Sequence, residues 1–360
     1  MRDASQMSSK TQTPADPAGV SVLQEFAPLL RRVVAREDLA HDEAAAFVGD
    51  IMDASYTPVQ AAALLAALAS KGESVDEIVG AANAMRERSL RVEHKLPMVV
   101  DVVGTGGDQA STINISTMTA LVVAAGGIPV AKHGNRAASG TCGSADVLEA
   151  AGFPLEISPQ LAETMLYRCG FTFMFAPRYH PAMRNAAPVR RELGVRTIFN
   201  LLGPLTNPAR ATHLVVGVAR AELVEKVGRA LRTLGARRGA VVHGCSGVDE
   251  VVGDAPTLIY SFDEYDAHLW RLDPSAFGIT TPMRTPRARS VRACCDAFME
   301  VLSGARTPAA NVVALNAAVA FHVAGAEPHL PAAFERARNL LESGAAWRTF
   351  QHARTIASDG

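Results

Sequence analysis

An apolar run, Met98 to Val103, ends in Gly104-Thr-Gly-Gly-Asp108, and a helix-like segment, Ser116 to Ala125, follows. A strand that meets a helix through glycines brings backbone N–H groups together with no Cβ in the way. The helix N-terminus adds partial positive charge on the same side. That joint points to an α/β architecture with phosphate at the turn. Two common phosphate loops do not fit. Gln109 holds the place of the last glycine in the dinucleotide pattern, and Gly104 starts no G-x-x-x-x-G-K-[ST] run. A joint whose glycines serve packing alone is the plainer reading, and this loop by itself does not decide between the two.

The rest of the chain supplies context. Over Met1 to Gly19 the sequence is polar and Pro-containing, with no apolar signal core, and reads as a disordered tail. Residues 20–93 carry helical periodicity, with Leu23, Phe26, Leu29 and Leu30 on one face, Asp42 able to cap a second helix and Thr57-Pro58 opening a third. A basic helical segment near 180–193 is expected to return to that domain. Residues 96–178 and 196–355 alternate strands (Met98–Val103, Ile128–Lys132, Leu214–Val218, Gly239–His243) with helices near 116–125, 144–151, 158–168 and 220–235. The fold class is therefore α/β: a small helical N-terminal domain beside a larger domain with a mainly parallel sheet. Asp263 to Ala288 reads as irregular or as short strands, and closing helices are expected over Asn311–Val323 and Pro331–Gly344.

A formal net charge of -1 argues against a nucleic-acid surface, and no run has the apolar length of a membrane helix. Five cysteines with no C-x-x-C pair suit reduced thiols in a cytoplasm.

Three further segments bear on chemistry. Lys132-His-Gly-Asn-Arg136 through Ser139, Thr141 and Cys142 again follows a strand and precedes a helix, for which Ser144 is a possible N-cap. Lys132 and Arg136 offer charge to phosphate, and two such loops suggest a substrate with more than one phosphate. Asp249-Glu250 follows a third strand. Alone, an acidic helix start explains it better; beside two phosphate loops, a Mg²⁺ site does. The fourth segment holds His180, Arg190 and Gly203-Pro204. Arg190 can grip a carboxylate bidentately or pair with Glu192, and His180 can be a satisfied loop histidine.

These motifs in order, with Asn114-Ile-Ser-Thr117, Gly143-Ser-Ala-Asp146, Arg196-Thr-Ile-Phe-Asn200 and Leu202-Gly-Pro-Leu205, closely resemble the anthranilate phosphoribosyltransferase family from about Leu23 to Leu341. The resemblance implies a nucleoside-phosphorylase-like pair of domains and a homodimer joined through the helical domain. It implies transfer of 5-phosphoribosyl from 5-phosphoribosyl-1-pyrophosphate to anthranilate, with Mg²⁺. Gly104, Gly106, Gly107, Asp108, Thr112, Asn114, Ser116, Thr117, Lys132, Ser139 and Cys142 would then bind the sugar pyrophosphate. Gly104, His133, Asn135, His180, Arg190, Gly203 and Pro204 would bind anthranilate. Ser116, Asp249 and Glu250 would hold Mg²⁺, and Asp108, Lys132 and Arg190 would be the residues on which transfer depends most.

Departures from the family pattern are Gln109 in place of a glycine, Cys142 in place of a serine, and the segment Arg287 to Phe298. They leave room for a paralogue in secondary metabolism that uses anthranilate or a related aromatic amine. A pyrimidine nucleoside phosphorylase shares the architecture but leaves Asn135-Arg136 and Asp249-Glu250 unexplained.

Overall fold

The computed structural model describes residues 17–106, 112–137, 141–279, 283 and 286–360, with side chains described from residue 26 onward. Capping shapes its helical half. Helices α1 (Pro17–Val34), α2 (His41–Met52), α3 (Pro58–Lys71) and α4 (Val75–Glu87) pack together. Helix α1 begins inside the segment expected to be tail, whose first sixteen residues lie outside the description. Thr57 caps α3 by accepting from the Gln60 N–H at 3.3 Å, with Pro58 at the first position. Asp42 does not cap α2. Ala40 holds that position, and Glu43 reaches back to its N–H at 2.8 Å. Glu77, fully buried, accepts from Ser74 N–H at 2.7 Å and Leu39 N–H at 2.8 Å and pairs with Lys71 Nζ at 2.9 Å. A buried carboxylate is stable only with such partners. Gly80 lets α4 lie against α2: a Cβ there would stand 2.1 Å from the His41 carbonyl oxygen.

The second half runs β1 (Val100–Gly104), α5 (Ile115–Ala125), β2 (Val130–Gly134), α6 (Ser144–Ala150), α7 (Pro159–Cys169), β3 (Phe171–Phe175), α8 (Ala176–Tyr179), α9 (Met183–Leu193), α10 (Phe199–Leu205) and β4 (His213–Gly217). It continues with α11 (Leu223–Thr233), β5 (Arg238–Gly244), β6 (Thr257–Phe262), β7 (Ala267–Leu272), α12 (Val291–Leu302), α13 (Pro308–Val323), α14 (Leu330–Glu342) and α15 (Ala345–Asp359). The strands form one sheet in the order β3-β2-β1-β4-β5-β6-β7, parallel through β5 and antiparallel beyond. The mainly parallel α/β fold is as expected. The chain winds outward from β1 through β2 to β3, then returns to β4 on the other side of β1. Ligands collect at the carboxyl ends of strands where the winding reverses. Helix α9 packs on α2 and α3.

Strands β3 and β6 and helix α15 have no counterpart in the sequence reading. Phe171-Thr-Phe-Met-Phe175 has apolar residues without alternation and follows α7 after one glycine, Gly170, at φ +69°. A short apolar run beside a helix does not reveal its own period.

Candidate active site

The carboxyl end of β2 sets two adjacent side chains to different work. Successive residues of a strand point to opposite faces. Lys132 reaches the α5 side, donating to Ser116 Oγ at 3.2 Å and to the Val102 carbonyl at 2.6 Å. His133 reaches α10, where its Nδ1 pairs with the Gly203 carbonyl at 3.0 Å. Both are buried. Burial pushes the Lys132 pKa down, and the charges of Asp101 and Glu250 oppose that shift.

Behind both stands a polar knot. Asp101 on β1 accepts from Asn207 Nδ2 at 2.7 Å and from the His133 N–H at 3.3 Å. Asn207 also donates to the Ala131 carbonyl at 2.8 Å. Burial raises Asp101 to a pKa of about 6, against the Lys132 charge and the Asn207 and His133 bonds. A buried asparagine that ties β1 to β2 has no signature in the sequence.

The first loop turns at Gly106, φ +64°, whose N–H donates to Asp249 Oδ2 at 2.8 Å and whose carbonyl accepts from Arg196. Asp249 sits where glycines leave room. A Cβ on Gly104 would meet Asp249 Oδ2 at 2.5 Å, and one on Gly217 would meet the Asp249 carbonyl oxygen at 1.6 Å. Asn114 donates to the Cys142 carbonyl at 3.1 Å, joining the first two loops. Thr112 bridges to Arg287, and Thr117 is fully buried. Gly107, Asp108 and Ser139 lie outside the described residues.

The second loop differs from expectation. Arg136 pairs with Glu149 at 2.7 Å and Asp146 at 3.0 Å and lies over the Phe175 ring, so its charge fastens the loop instead of facing a phosphate. Ser144 does not cap α6. It is that helix's first residue, and Asp146 receives the Gly143 and Ala137 N–H groups at 2.8 and 3.0 Å. Asn135 is exposed, its side chain accepting from the Arg136 N–H.

On the α10 side the rings of His133 and His180 lie 5.0 Å apart. His133 Nε2 has no hydrogen-bond partner among the described residues, whereas the ring of the buried His180 meets the backbone of Thr206 and Met85. Burial lowers His133 to a pKa of about 4 and His180 further, so both are neutral near pH 7. Arg190 on α9 does not pair with Glu192. Its guanidinium lies 5.4 Å from the centre of the Phe199 ring and makes no ion pair or hydrogen bond among the described residues. Desolvation lowers its pKa. Phe199 and Gly203-Pro204 share helix α10. A half-buried cation, an aromatic ring and an unsatisfied imidazole nitrogen on His133 suit a flat aromatic acid.

The description "Glycosyl transferase family, a/b domain" matches residues 96–347, and "Glycosyl transferase family, helical bundle domain" matches residues 27–89. Anthranilate phosphoribosyltransferase of Thermomicrobium roseum is 44% identical over 335 residues, covering 92% of this chain and 96% of its own. That of Chloroflexus aggregans is 47% identical over 319 residues, covering 87% and 93%. The crystal structure of the Thermus thermophilus enzyme superposes with a TM-score of 0.82 at 40% identity, covering 92% of this chain and 99% of that one. The fold is shared also with the Saccharomyces cerevisiae enzyme in complex with PRPP and Mg, at 24% identity and a TM-score of 0.82, covering 95% and 99%.

Proposed function

This chain belongs to the anthranilate phosphoribosyltransferase family, and we propose that it transfers 5-phosphoribosyl from 5-phosphoribosyl-1-pyrophosphate to the amine of anthranilate, releasing pyrophosphate. That is the second step of tryptophan synthesis from chorismate. Relatives of one activity, matched over most of the chain, speak against a secondary-metabolic paralogue or a nucleoside phosphorylase.

The observation that carries the acceptor assignment is Arg190, a half-buried guanidinium with no anion among the described residues, placed beside an aromatic ring. A carboxylate there is held by charge-assisted hydrogen bonds. His133, His180, Gly203 and Pro204 then wall the acceptor. An aromatic amine is unprotonated at neutral pH, and the neutral imidazoles place no charge beside it. An aromatic amine is a weak nucleophile, so position outweighs activation, and orientation can supply several of the roughly 7–11 kcal/mol available from proximity.

On the other side the anomeric carbon–oxygen bond to pyrophosphate breaks as the carbon–nitrogen bond forms, and the proton released by the amine passes to the departing pyrophosphate or to solvent. Lys132 and Ser116 face the departing charge, with Gly104, Gly106, Thr112 and Asn114 lining the loops. Gly107, Asp108, Ser139, Thr117 and Cys142 belong to this reading through the resemblance alone. The residues suit Mg²⁺. Among the described residues no three metal-ligating side chains cluster, and Mg²⁺ characteristically takes one or two carboxylates plus substrate phosphates. Asp249 and Glu250, with Ser116, would hold it, and it would neutralise the leaving pyrophosphate.

A homodimer through the helical bundle is part of the proposal, supported by Val34 and Val59, exposed on α1 and α3. A cytoplasmic setting rests on five unpaired thiols. The test is loss of anthranilate fluorescence in the presence of Mg²⁺ and 5-phosphoribosyl-1-pyrophosphate. Loss that is slowed by Arg190→Ala and by Asp249→Ala supports the proposal. No loss in the unaltered protein refutes it.

A further inference from the structure

The acidic pair is held from behind by helix α13. Helix α13 is buried almost throughout and apolar, and Asn316 lies in its middle, 1% exposed. A polar side chain there is costly unless it is bonded. Asn316 is bonded at both ends of its amide. Its Oδ1 accepts from the Val251 N–H at 3.0 Å, and its Nδ2 donates to the Val251 carbonyl at 2.8 Å and to the Val312 carbonyl at 2.9 Å. Only a side chain with both donor and acceptor can clamp one residue's N–H and C=O in this way.

Val251 directly follows Asp249-Glu250, and glycines clear the same segment from the front. A Cβ on Gly217 would strike the Asp249 carbonyl, and one on Gly244 would come within 2.8 Å of the Glu250 carbonyl. The backbone of the pair is therefore fixed between strand ends that yield space and one asparagine that grips. We infer that Asn316 is a positioning residue for the Asp249–Glu250 pair, setting the affinity for Mg²⁺-loaded sugar pyrophosphate without touching either substrate. The inference rests on the metal role proposed above for that pair.

The test measures binding, not turnover. Calorimetry with 5-phosphoribosyl-1-pyrophosphate, with Mg²⁺ and with chelator, is run on unaltered protein, Asn316→Leu and Asn316→Ala. The variants should lose roughly tenfold or more in affinity with Mg²⁺, the scale of lost hydrogen bonds. Metal-free binding and anthranilate KM should change less than about twofold. An equal loss with and without metal, or no loss, overturns the inference. If the unaltered protein binds no tighter with Mg²⁺, the metal role itself fails, a separate outcome. Should neither variant fold, amide exchange at Val251 in the unaltered protein decides. Protection in the free protein supports the clamp, and rapid exchange there overturns it.

Discussion

Replacing Arg190 by Met separates its two physical roles, because the residue that should bind the acceptor also burdens the free protein. In the free state its guanidinium is half-buried without an anion, and its only described side-chain partner is the Phe199 ring at 5.4 Å. Met keeps much of the apolar stem and removes the charge. The lost cation–π contact costs about 0.5–1 kcal/mol. Relief from burying an unpaired charge offsets that by a similar or larger amount, so Tm should hold or rise by about 1–2 °C. Activity should move the other way. Losing charge-assisted hydrogen bonds to a carboxylate removes about 1.5–3 kcal/mol, or roughly 10- to 150-fold in kcat/KM for anthranilate. The saturation profile for 5-phosphoribosyl-1-pyrophosphate should stay put. Aniline, which lacks the carboxylate, is the control: the preference for anthranilate over aniline should collapse in the variant. A Tm fall of more than about 5 °C would show that the guanidinium already has a partner in the free protein. An undiminished preference would show that the carboxylate binds elsewhere. Either result refutes the reasoning.

Other consequences are as direct. Gly104→Ala puts a methyl 2.5 Å from Asp249 Oδ2, so the fold should survive while kcat/KM for the sugar pyrophosphate drops about 100-fold, as read by fluorescence kinetics. Gly80→Ala should cost about 1–3 kcal/mol or more in urea unfolding, because backbone of α2 stands 2.1 Å from the new Cβ. His133 has a folded pKa of about 4, below its unfolded value, so its contribution is complete above pH 6.5 and is lost as pH falls toward 4. That contribution is roughly 3 kcal/mol, and His133→Gln should flatten stability against pH across that window, an unchanged slope counting against it. Iodoacetamide should modify native protein first at exposed Cys245 and spare buried Cys294 and Cys295, as mass spectrometry of the adduct would show.

The glycine loops, the Lys132 strand end and the acidic pair were legible because the residue types are unusual for packing and follow apolar strands. Arg136 misled because a charge in a phosphate-like loop looks the same in sequence whether it faces ligand or neighbour; only the approach of Asp146 and Glu149 decides. Asn207 and Asn316 were invisible as parts of the site because their bonds join residues 106 and 65 positions away. Strand β6 escapes a local reading because it lies between β5 and β7 and its burial does not alternate along the strand.

The neighbouring placement of Lys132 and His133 has an evolutionary consequence. Inserting or deleting one residue in β2 would exchange their faces and disrupt the proposed donor and acceptor contacts at once. Substitutions, by contrast, are insulated by the pleat. Changes around His133, His180 and α10 can reshape the proposed acceptor side while the Lys132 side stays intact. A lineage can therefore acquire new amine acceptors one side chain at a time, without passing through an ancestor that has lost its donor sugar.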